Sequence, residues 1–582
     1  MTNILQLRKL LAKNGIDAYL QPVHDEWMSE YPPACNRRVE WLAGFSGSAG
    51  LVVVTSDKAA LFTDGRYTIQ AVQQVSADYE VINSADTTAQ EWLADNLPKN
   101  AKIGYDAKLY TKSMLDKFKS ELLVPTPNLI DELWENRPAA PASKIFVHDV
   151  KYSGEESSSK RARVAEEIKK AGADILFLSA PESVNWLLNI RARDTENTPL
   201  CLAFATIDSQ GKMQLFVDSL RCDAELKEHL GGAVKLCAPE NLALELHSFS
   251  DKTMIFDVQT TTVFVTDLCE KAGIKLLAGT DPCVLFKAIK NPIELSGIRR
   301  AHIRDGVAVT KLLCWLDAQK NITELDVVDK ILSFRKQNDL FVEPSFDAIA
   351  GSGEHGAIVH YHSTPESNRI LQQGELFLLD SGGQYFDGTT DITRTVAIGA
   401  PNSEHKKRFT QVLKGHIALA QAIFPEGTVG LQIDVLARQY LWQDAVDYEH
   451  GTGHGVGCFL GVHEGPQGIS KRGGGAPLSV GMVLSNEPGY YKAGEYGIRI
   501  ENLMEVTEKA IGEKGKKFFG FDTLTCVPID PRLVDISLLS SAEKEWMNNY
   551  HQWVKSELSS HLDKPEREWL EKQCQNSVYK EV

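Results

Sequence analysis

The first half of the chain repeats one order of apolar and polar segments. In each copy a helical segment ends near a glycine, Gly15 or Gly172, and a Trp-Leu pair, an apolar strand and a second strand follow. Glycine just after a helix suits a left-handed C-cap, and short apolar runs bounded by turn residues favour buried strands. The corresponding stretches are residues 13–20, 40–42, 51–54 and 61–66 in the first copy, and 170–177, 185–187, 202–205 and 215–221 in the second. This order predicts two related α/β sandwich units.

The boundaries between domains follow from a linker and a helix start. Residues 137–143 are punctuated by prolines, which is typical of a linker. A further domain begins near Asn291, because Asn suits an N-cap, Pro292 suits the first helical turn and Glu294 occupies the capping-box position. Apolar residues then recur at helical spacing, which predicts a helix with one buried face. The predicted domains are residues 1–142, 143–290 and 291–582, the last with a C-terminal extension.

Composition narrows the class of protein. At 582 residues the chain is too long for one hydrophobic core, and 43% hydrophobic and 24% charged residues are typical of a globular protein. A formal charge of −16 and the lack of a block of Lys and Arg argue against nucleic-acid binding. No apolar run reaches the length of a bilayer span, so we expect no membrane association.

The N-terminus and the cysteines predict the compartment. The first residues lead into an amphipathic helix rather than the apolar stretch of a signal peptide, so we expect no export signal. The ten cysteines lie far apart without CxxC pairs, which indicates reduced thiols. The prediction is a cytoplasmic protein.

The candidate chemistry lies in the third domain and begins with two aspartates. Asp380 ends a short apolar strand, and Asp391 lies in a β-branched stretch that alternates as a return strand would. Two aspartates that face each other across a hairpin are destabilising unless a cation compensates them, and a metal ion is the simplest compensator. For these two residues alone, solvated turn positions are an open alternative.

Three histidines and two glutamates follow downstream. His450 and His454 lie in the glycine-rich stretch 450–457, which is poor helix material and predicts a loop built for close approach, and His463 is near them. A lone histidine is more often a satisfied core residue than a ligand, but the grouping weakens that interpretation. Glu487 ends an apolar segment and Glu501 lies in an apolar alternation, where each alone is an ordinary strand residue.

Together the acids form an oxygen-rich set of ligands. Four carboxylates with one histidine, and no thiolate, favour Mn²⁺, Co²⁺ or a similar ion over a structural zinc site. Four negative charges match two dications, and such a pair, about 3.5–4 Å apart, generates hydroxide near neutral pH and polarises a carbonyl. The set is Asp380, Asp391, His454, Glu487 and Glu501. The chemistry it predicts is hydrolysis.

The ordered motifs resemble the pita-bread metallopeptidase family and, within it, the three-domain Xaa-Pro aminopeptidases. The resemblance covers nearly the whole chain, and its most specific stretches are residues 379–382, 387–395, 450–457, 486–491 and 499–502. It implies an α/β (α+β) fold class, with two related creatinase-type α/β domains followed by a pita-bread catalytic domain. It also implies an activity: removal of the first residue from peptides whose second residue is proline.

By that similarity the five ligands take defined roles. Asp380 chelates one ion, His454 and Glu487 hold the other, and Asp391 and Glu501 bridge both. The family's nucleophile is a hydroxide that bridges the two ions, and Glu487 also shuttles a proton. We expect two ions per subunit, Mn²⁺ first, with Co²⁺ and Zn²⁺ as alternatives.

The resemblance also implies substrate-binding residues and a homodimer. His360 matches a histidine near the scissile bond, and His450 and His463 match those that line the substrate site and steady the tetrahedral intermediate. Arg66 matches an arginine that in related enzymes reaches an active site across the dimer, although a solvated arginine in a hairpin is the alternative. The aromatic C-terminal stretch matches the long cytosolic-type members, and we expect it to pack at a domain or subunit surface.

Several alternatives stay open on the sequence. Prolidases and methionine aminopeptidases share the five metal positions, but the duplicated pair of domains favours the Xaa-Pro aminopeptidases. A non-catalytic pita-bread binding protein is a further alternative, although such relatives lack the metal ligands. Residues 351–356 are glycine-rich without the ending of a phosphate-binding loop, so we interpret them as a substrate-side loop. Ser352 and His355 there suggest a serine hydrolase, but the Gly-x-Ser-x-Gly elbow is missing.

Overall fold

The chain divides into two units in a computed structural model, which describes residues 2–473 and 475–575. The first unit consists of Met1–Val150 and Glu155–Cys283, and the second of Lys151–Gly154 and Val284–Val582. Among the described helices, none is both long enough and apolar enough to cross a bilayer.

Two six-stranded sheets with the same strand order form the first unit. In chain order the strands are β1 (Ala18–Pro22), β2 (Leu51–Thr55), β3 (Ala59–Thr63), β4 (Glu80–Asn83), β5 (Ile103–Tyr105), β6 (Leu123–Pro125), β7 (Phe146–Val147), β8 (Ile175–Leu178), β9 (Ile190–Arg191), β10 (Phe204–Asp208), β11 (Met213–Phe216), β12 (Val234–Cys237), β13 (Thr253–Asp257) and β14 (Lys275–Gly279). The sheets run β4-β3-β2-β1-β5-β6 and β12-β11-β10-β8-β13-β14, and β7 pairs with β9 separately. In each sheet the first long strand of the copy, β1 or β8, is antiparallel to one neighbour, β2 or β10, and parallel to the other, β5 or β13. The predicted repeat is confirmed.

Helices cover these sheets because the strands bury both faces. The helices up to residue 288 are α1 (Asn3–Asn14), α2 (Arg38–Ala43), α3 (Thr68–Gln74), α4 (Ala89–Asn96), α5 (Lys112–Leu115), α6 (Val150–Ser153), α7 (Ser157–Lys170), α8 (Pro181–Leu188), α9 (Ala224–Leu230), α10 (Leu242–Leu246), α11 (Val263–Lys271) and α12 (Pro282–Ala288). Along β1, Tyr19 joins one apolar cluster with α1, whereas Leu20 joins another with α4. Helix α1 ends at Gly15, whose φ of 63° is the predicted left-handed cap. The subdivision of this unit at residue 142 stays a proposal.

The strands and helices after residue 288 belong to the second unit. Its strands are β15 (Phe341–Pro344), β16 (Ile349–Ser352), β17 (Leu376–Ser381), β18 (Gly383–Tyr385), β19 (Gly388–Thr389), β20 (Ile392–Ala397), β21 (Ile423–Pro425), β22 (Gly453–Gly455), β23 (Glu464–Ile469), β24 (Val483–Asn486), β25 (Gly489–Lys492), β26 (Tyr496–Arg499), β27 (Asn502–Ile511) and β28 (Lys517–Thr523). They form the sheets β15-β18-β19, β16-β17-β20, β21-β28-β27-β24-β22-β23 and β25-β26. Its helices are α13 (Pro292–Asp317), α14 (Glu324–Arg335), α15 (Ser403–Ala420), α16 (Asp434–Trp442), α17 (Ser541–Leu558) and α18 (Lys564–Gln573).

The long helix α13 begins where the sequence predicts. The Asn291 side chain accepts hydrogen bonds from the backbone N–H groups of Ile293 and Glu294, and the Glu294 carboxylate accepts one from the Asn291 N–H at 3.0 Å. The buried face of α13, which includes Leu312 and Leu313, packs in one cluster with Phe377 and Leu379 of β17. The helix thereby supports the strand that presents Asp380.

The C-terminal extension packs on the core of the second unit. Tyr550 is buried in an apolar cluster of that unit, and three partly buried tryptophans pack against the same cluster. These are Trp546, Trp553 and Trp569. The extension is therefore an integral layer of the second unit.

Candidate metal centre

The predicted ligands lie at the ends of strands from two sheets of the second unit. Asp380 is the last residue but one of β17, Asp391 directly precedes β20, and His454 is the middle residue of β22. Glu487 directly follows β24, and Glu501 lies in the link between β26 and β27. Because β22, β24 and β27 are neighbours in one sheet, and β17 and β20 are neighbours in another, five distant residues reach one place.

The two aspartates are offset rather than directly opposed. Asp380 pairs with Thr393 in the β17–β20 ladder, so Asp391 lies two residues before the position opposite it. The stretch that we expected to be one return strand is split, because residues 388–389 form β19 and pair with β18. Glycine at position 382 permits the detour, because a Cβ there would lie 2.0 Å from the Thr390 carbonyl oxygen.

The five predicted ligands converge. Asp380, Asp391 and Glu501 offer ligand atoms that lie within 4.8 Å of one another, and His454, Glu487 and Glu501 form a second such group. Glu501 belongs to both groups. The His454 Nε2 atom lies 3.4 Å from Asp391 Oδ2 and 3.4 Å from Glu487 Oε1. His463 joins Asp391 and His454 in a third group.

Three carboxylate oxygens in this cluster are buried without a hydrogen-bond partner among the described residues. They are Asp380 Oδ1, Asp391 Oδ1 and Glu501 Oε1. The second oxygen of each carboxylate is engaged. Arg499 Nη2 donates to Asp380 Oδ2 at 2.7 Å, Thr393 Oγ1 donates to Glu501 Oε2 at 2.8 Å, and His454 Nε2 lies 3.4 Å from Asp391 Oδ2. Burying a carboxylate oxygen without a hydrogen-bond donor costs free energy of folding. The donor set and its orphaned oxygens therefore fit bound cations.

The protonation of the cluster reflects the same crowding. Burial raises the pKa of Asp380 to about 7 although the charge of Arg499 opposes this, and the charge of Asp391 adds to the rise. Burial and the charges of Asp391 and Asp380 raise the pKa of Glu501 well above its ordinary value. Burial alone would lower the pKa of His454, but its hydrogen bond to Asp391 and the charge of Glu487 raise it to about 9. Without metal ions, the cluster tends to hold protons.

The glycines around His454 are required by packing. A Cβ on Gly453 would lie 2.0 Å from the Ser485 carbonyl oxygen, and one on Gly455 would lie 2.2 Å from the Glu464 carbonyl oxygen. Real side chains do not tolerate such distances, so strand β22 can sit between its neighbours only with glycine there. The predicted close approach is therefore an approach of the backbone to adjacent strands.

Two of the three predicted substrate histidines border the cluster directly. His450 is buried, and its Nε2 atom lies 2.8 Å from the Tyr491 hydroxyl while its Nδ1 atom lies 3.8 Å from Glu487 Oε2. The exposed ring of His463 packs edge-on against the ring of His454, with 4.3 Å between the centroids.

His360 and Arg66 are placed differently. His360 is half-buried and follows Val359, whose carbonyl oxygen accepts a hydrogen bond from Arg499 Nη2 at 3.3 Å. Arg66 lies in the first unit, where its guanidinium pairs with Asp64 at 2.9 and 2.8 Å. Its role across a dimer stays a prediction.

One residue to which the sequence analysis gave no role is central to the site. Arg499 is fully buried and donates to Asp380, to the Tyr491 hydroxyl at 2.6 Å and to Thr393 Oγ1 at 3.2 Å. Arg499 thus connects Asp380 with Tyr491, which contacts His450. It also connects Asp380 with Thr393, which donates to Glu501. An arginine inside an apolar alternation signals that buried acceptors surround it, but the sequence does not say which acceptors they are.

The glycine-rich stretch 351–356 contains no serine-hydrolase pair. The Ser352 hydroxyl donates to Glu375 Oε2 at 3.1 Å, and His355 Nδ1 lies 2.9 Å from Glu324 Oε1. Each residue has its own carboxylate partner, so Ser352 and His355 do not form the serine–histidine pair of a serine hydrolase.

Family models match four successive parts of the chain. The creatinase/prolidase N-terminal domain matches residues 4–133 and again residues 136–294. Metallopeptidase family M24 matches residues 296–508, and the C-terminal region of the same peptidase family matches residues 517–577.

Similar proteins extend over almost the full length. Aminopeptidase P2 of Arabidopsis thaliana is 39% identical, covering 97% of this chain and 87% of its own, and a probable Xaa-Pro aminopeptidase P of Laccaria bicolor is 40% identical, covering 98% and 92%. The crystal structure of X-prolyl aminopeptidase from Caenorhabditis elegans, described as a cytosolic enzyme with a di-nuclear active site, matches with a TM-score of 0.94 and 35% identity over 98% of this chain and 99% of that one. A prolidase from Pyrococcus horikoshii, at 22% identity and a TM-score of 0.52, covers 64% of this chain and 99% of its own and shares the fold.

Proposed function

The chain belongs to metallopeptidase family M24, and from this premise we infer that it is an Xaa-Pro aminopeptidase that works with two divalent metal ions. It removes the N-terminal residue from peptides that carry proline in second position. The observation that carries this inference is that the five ligand residues converge. Three of their carboxylate oxygens are buried without a hydrogen-bond partner among the described residues. Relatives named as aminopeptidases over the full length support the reaction class.

The two groups of ligand atoms support an assignment of residues to ions. Asp380 would hold one ion, and His454 and Glu487 would hold the other. Glu501 belongs to both groups, and Asp391, which is grouped with Asp380 and also with His454, would serve both ions as well. Such ions, when bound, polarise the scissile carbonyl and acidify water to a pKa near neutral. Oxygen-rich ligands without thiolate favour Mn²⁺, with Co²⁺ and Zn²⁺ as alternatives.

The surrounding residues orient the ligands. Arg499 fixes one oxygen of Asp380, and Thr393 fixes one oxygen of Glu501, so the other, buried oxygen of each carboxylate is left available to a cation. Glu487 accepts a hydrogen bond from the Ser485 hydroxyl at 3.1 Å and lies beside His450. A carboxylate in that position is suited to hold the proton that the leaving nitrogen needs.

Substrate recognition follows from the chemistry of proline. The scissile bond before proline is a tertiary amide without an N–H, so the enzyme gains nothing from an acceptor there and must recognise the ring by shape. His450 and His463, which border the cluster, and His360, which follows a residue hydrogen-bonded to Arg499, are the substrate-contacting residues that we propose. Arg66 as a residue donated across a homodimer, and a cytoplasmic location like that described for the C. elegans enzyme, are further parts of the proposal.

One experiment tests the function and separates it from its alternatives. Metal content and turnover of Arg-Pro-Pro are measured for the wild type, for Asp391→Asn and for Asp329→Asn, a matched change at an exposed position of α14. We expect two ions per wild-type chain, and for Asp391→Asn a loss of metal with turnover reduced by more than about 100-fold, since even outer partners of ligands cost 10–100-fold.

The alternatives give other results. Hydrolysis of Ala-Pro but not of Arg-Pro-Pro would indicate a prolidase. A wild type without transition metal, and without activity after addition of Mn²⁺, would indicate a binding protein. Unchanged turnover in Asp391→Asn would remove this residue from the site.

A further inference from the structure

A fully buried arginine lies behind the metal cluster. Arg394 is 2% exposed, and no carboxylate forms an ion pair with it within residues 2–473 and 475–575. Its guanidinium instead donates to six neutral oxygen atoms. These are the carbonyl oxygens of Thr393, Glu501, Val527 and Pro528, the side-chain oxygen of Asn502 and the hydroxyl of Tyr550.

The six acceptors come from two parts of the chain. Thr393, Glu501 and Asn502 belong to the segments that present metal ligands, whereas Val527, Pro528 and Tyr550 belong to the C-terminal region beyond residue 516. A planar guanidinium holds its acceptors in a fixed fork, so it sets the distance and the angle between the groups that it joins. Arg394 therefore fastens the C-terminal region to the ligand-bearing segments.

The contacts reach the ligand Glu501 at two points. Arg394 Nη1 donates to the Glu501 carbonyl oxygen at 2.7 Å and to the Thr393 carbonyl oxygen at 2.9 Å. Thr393 in turn accepts the Glu501 N–H at its carbonyl oxygen, at 3.1 Å, and donates its hydroxyl to Glu501 Oε2 at 2.8 Å. The backbone of Glu501 and one of its carboxylate oxygens are thus both set by the Thr393–Arg394 pair.

Helix α17 of the C-terminal region holds Arg394 through Tyr550. The Tyr550 hydroxyl accepts from Arg394 Nη2 at 2.8 Å and donates to the Val527 carbonyl oxygen at 2.7 Å. The Tyr550 ring is nearly parallel to that of Trp546, with 5.1 Å between centroids, which fixes the direction of the hydroxyl. A hydrogen bond to a charged group is among the stronger ones in a protein.

We propose that Arg394, held by Tyr550 of helix α17, is a positioning residue for the metal centre, and that the C-terminal region is needed for metal affinity. The inference rests on the proposed function, because it assigns Glu501 to the metal ions. It goes beyond that function by giving the C-terminal region a task at the site. Loss of the Arg394 fork leaves Glu501 free to shift by fractions of an ångström, and the metal then binds more weakly.

The test compares three variants as metal-free proteins titrated with Mn²⁺ by calorimetry. Arg394→Lys keeps the charge but loses the fork, and Tyr550→Phe removes one hydroxyl. Val554→Ala, at a fully buried position of the same helix, removes packing but no hydrogen bond. Hydrogen exchange at the Glu501 amide reports on the local backbone independently of activity.

We expect a graded result. The Kd for Mn²⁺ rises about tenfold or more in Arg394→Lys, in keeping with the effect of outer partners of metal ligands. It rises about threefold in Tyr550→Phe, because a hydrogen bond to a charged group is lost while the other five remain. It is unchanged in Val554→Ala. Exchange at Glu501 quickens in the same order, and excess Mn²⁺ restores kcat in Tyr550→Phe.

Three outcomes overturn the proposal. The first is wild-type affinity in Arg394→Lys, and the second is an equal loss in Val554→Ala at equal thermal stability, which indicates a purely structural role. The third is wild-type affinity in Tyr550→Phe, which would show that helix α17 has no role in metal binding. This variant decides the question if Arg394→Lys does not fold. If the wild type itself binds no Mn²⁺ and does not cleave Arg-Pro-Pro, the proposed function has failed instead.

Discussion

Removing the metal ions is predicted to make the stability of the protein strongly dependent on pH. Asp380 has an ordinary pKa of 3.8, which the folded site raises to about 7, and His454 has an ordinary pKa of 6.5, which the site raises to about 9. In both cases the folded metal-free protein binds a proton that the unfolded chain has lost. The free energy of unfolding therefore falls as pH rises, from about pH 4 to 7 through Asp380 and from about pH 6.5 to 9 through His454.

The size of the effect follows from the pKa of the buried aspartate. The difference between 3.8 and about 7 corresponds to about 4 kcal/mol for Asp380, since one pKa unit is about 1.4 kcal/mol. This loss in the free energy of unfolding is absent below about pH 4 and complete above about pH 7. Against a typical stability of about 5–15 kcal/mol, this is a large fraction. Bound metal ions replace both protons, so the loaded protein avoids the loss.

The assay is thermal unfolding of metal-free and Mn²⁺-loaded protein at about pH 5, 7 and 9, which bracket the two titrations. We expect the gap in melting temperature to widen with pH, by roughly 8 °C for 4 kcal/mol in a large domain. Calorimetry in buffers of different ionisation enthalpy should show that metal binding releases protons at neutral pH. A metal-free protein that grows more stable with rising pH, or metal binding without proton release, would refute the reasoning.

Three further predictions concern single contacts. Lys287→Met breaks a buried ion pair of 2.7 Å with Glu464, which directly follows a proposed substrate histidine. We expect the free energy of unfolding, measured by heat or urea, to fall by about 3–5 kcal/mol and to recover when Glu464→Leu is added. Gly453→Ala places a Cβ 2.0 Å from a carbonyl oxygen and should cost about 3 kcal/mol or more and most of the activity, whereas Gly451→Ala, with no atom nearer than 3.5 Å, should have little effect on either; equal behaviour of the pair would contradict the packing argument. Ser352→Ala should leave turnover of Arg-Pro-Pro within about threefold of the wild type, because His355 is hydrogen-bonded to Glu324 and not to Ser352; a loss as large as that of Asp391→Asn would restore the serine-hydrolase alternative.

The sequence was most informative where a structural rule is local. The start of α13 at Pro292 could be predicted because an N-cap, a first-turn proline and a capping-box glutamate act within four residues. The left-handed cap at Gly15 is equally local. The repeated order of segments in the first half predicted two copies of one unit, and the matching strand orders confirm it. The family resemblance is confirmed by relatives that are about 39% identical over nearly the full length.

The ligand types could also be proposed from the sequence, for a physical reason. Several acids in apolar strands cannot be buried together without a cation, so their presence at strand ends pointed to metal ions before any contact was known. The offset of Asp380 and Asp391 could not be foreseen. It depends on the departure of the chain into β18 and β19, which a tight contact at Gly382 permits.

By itself, the sequence determined the kinds of element, the repeated unit and the residue types available for chemistry, because these follow from patterns within a few neighbouring residues. Only the tertiary structure decided which groups act together. Arg499 meets Asp380 across 119 positions, and Arg394 meets Tyr550 across 156. The acceptors of a buried charge are brought to it by the tertiary fold. A pattern of neighbouring residues does not show which distant residue that acceptor is.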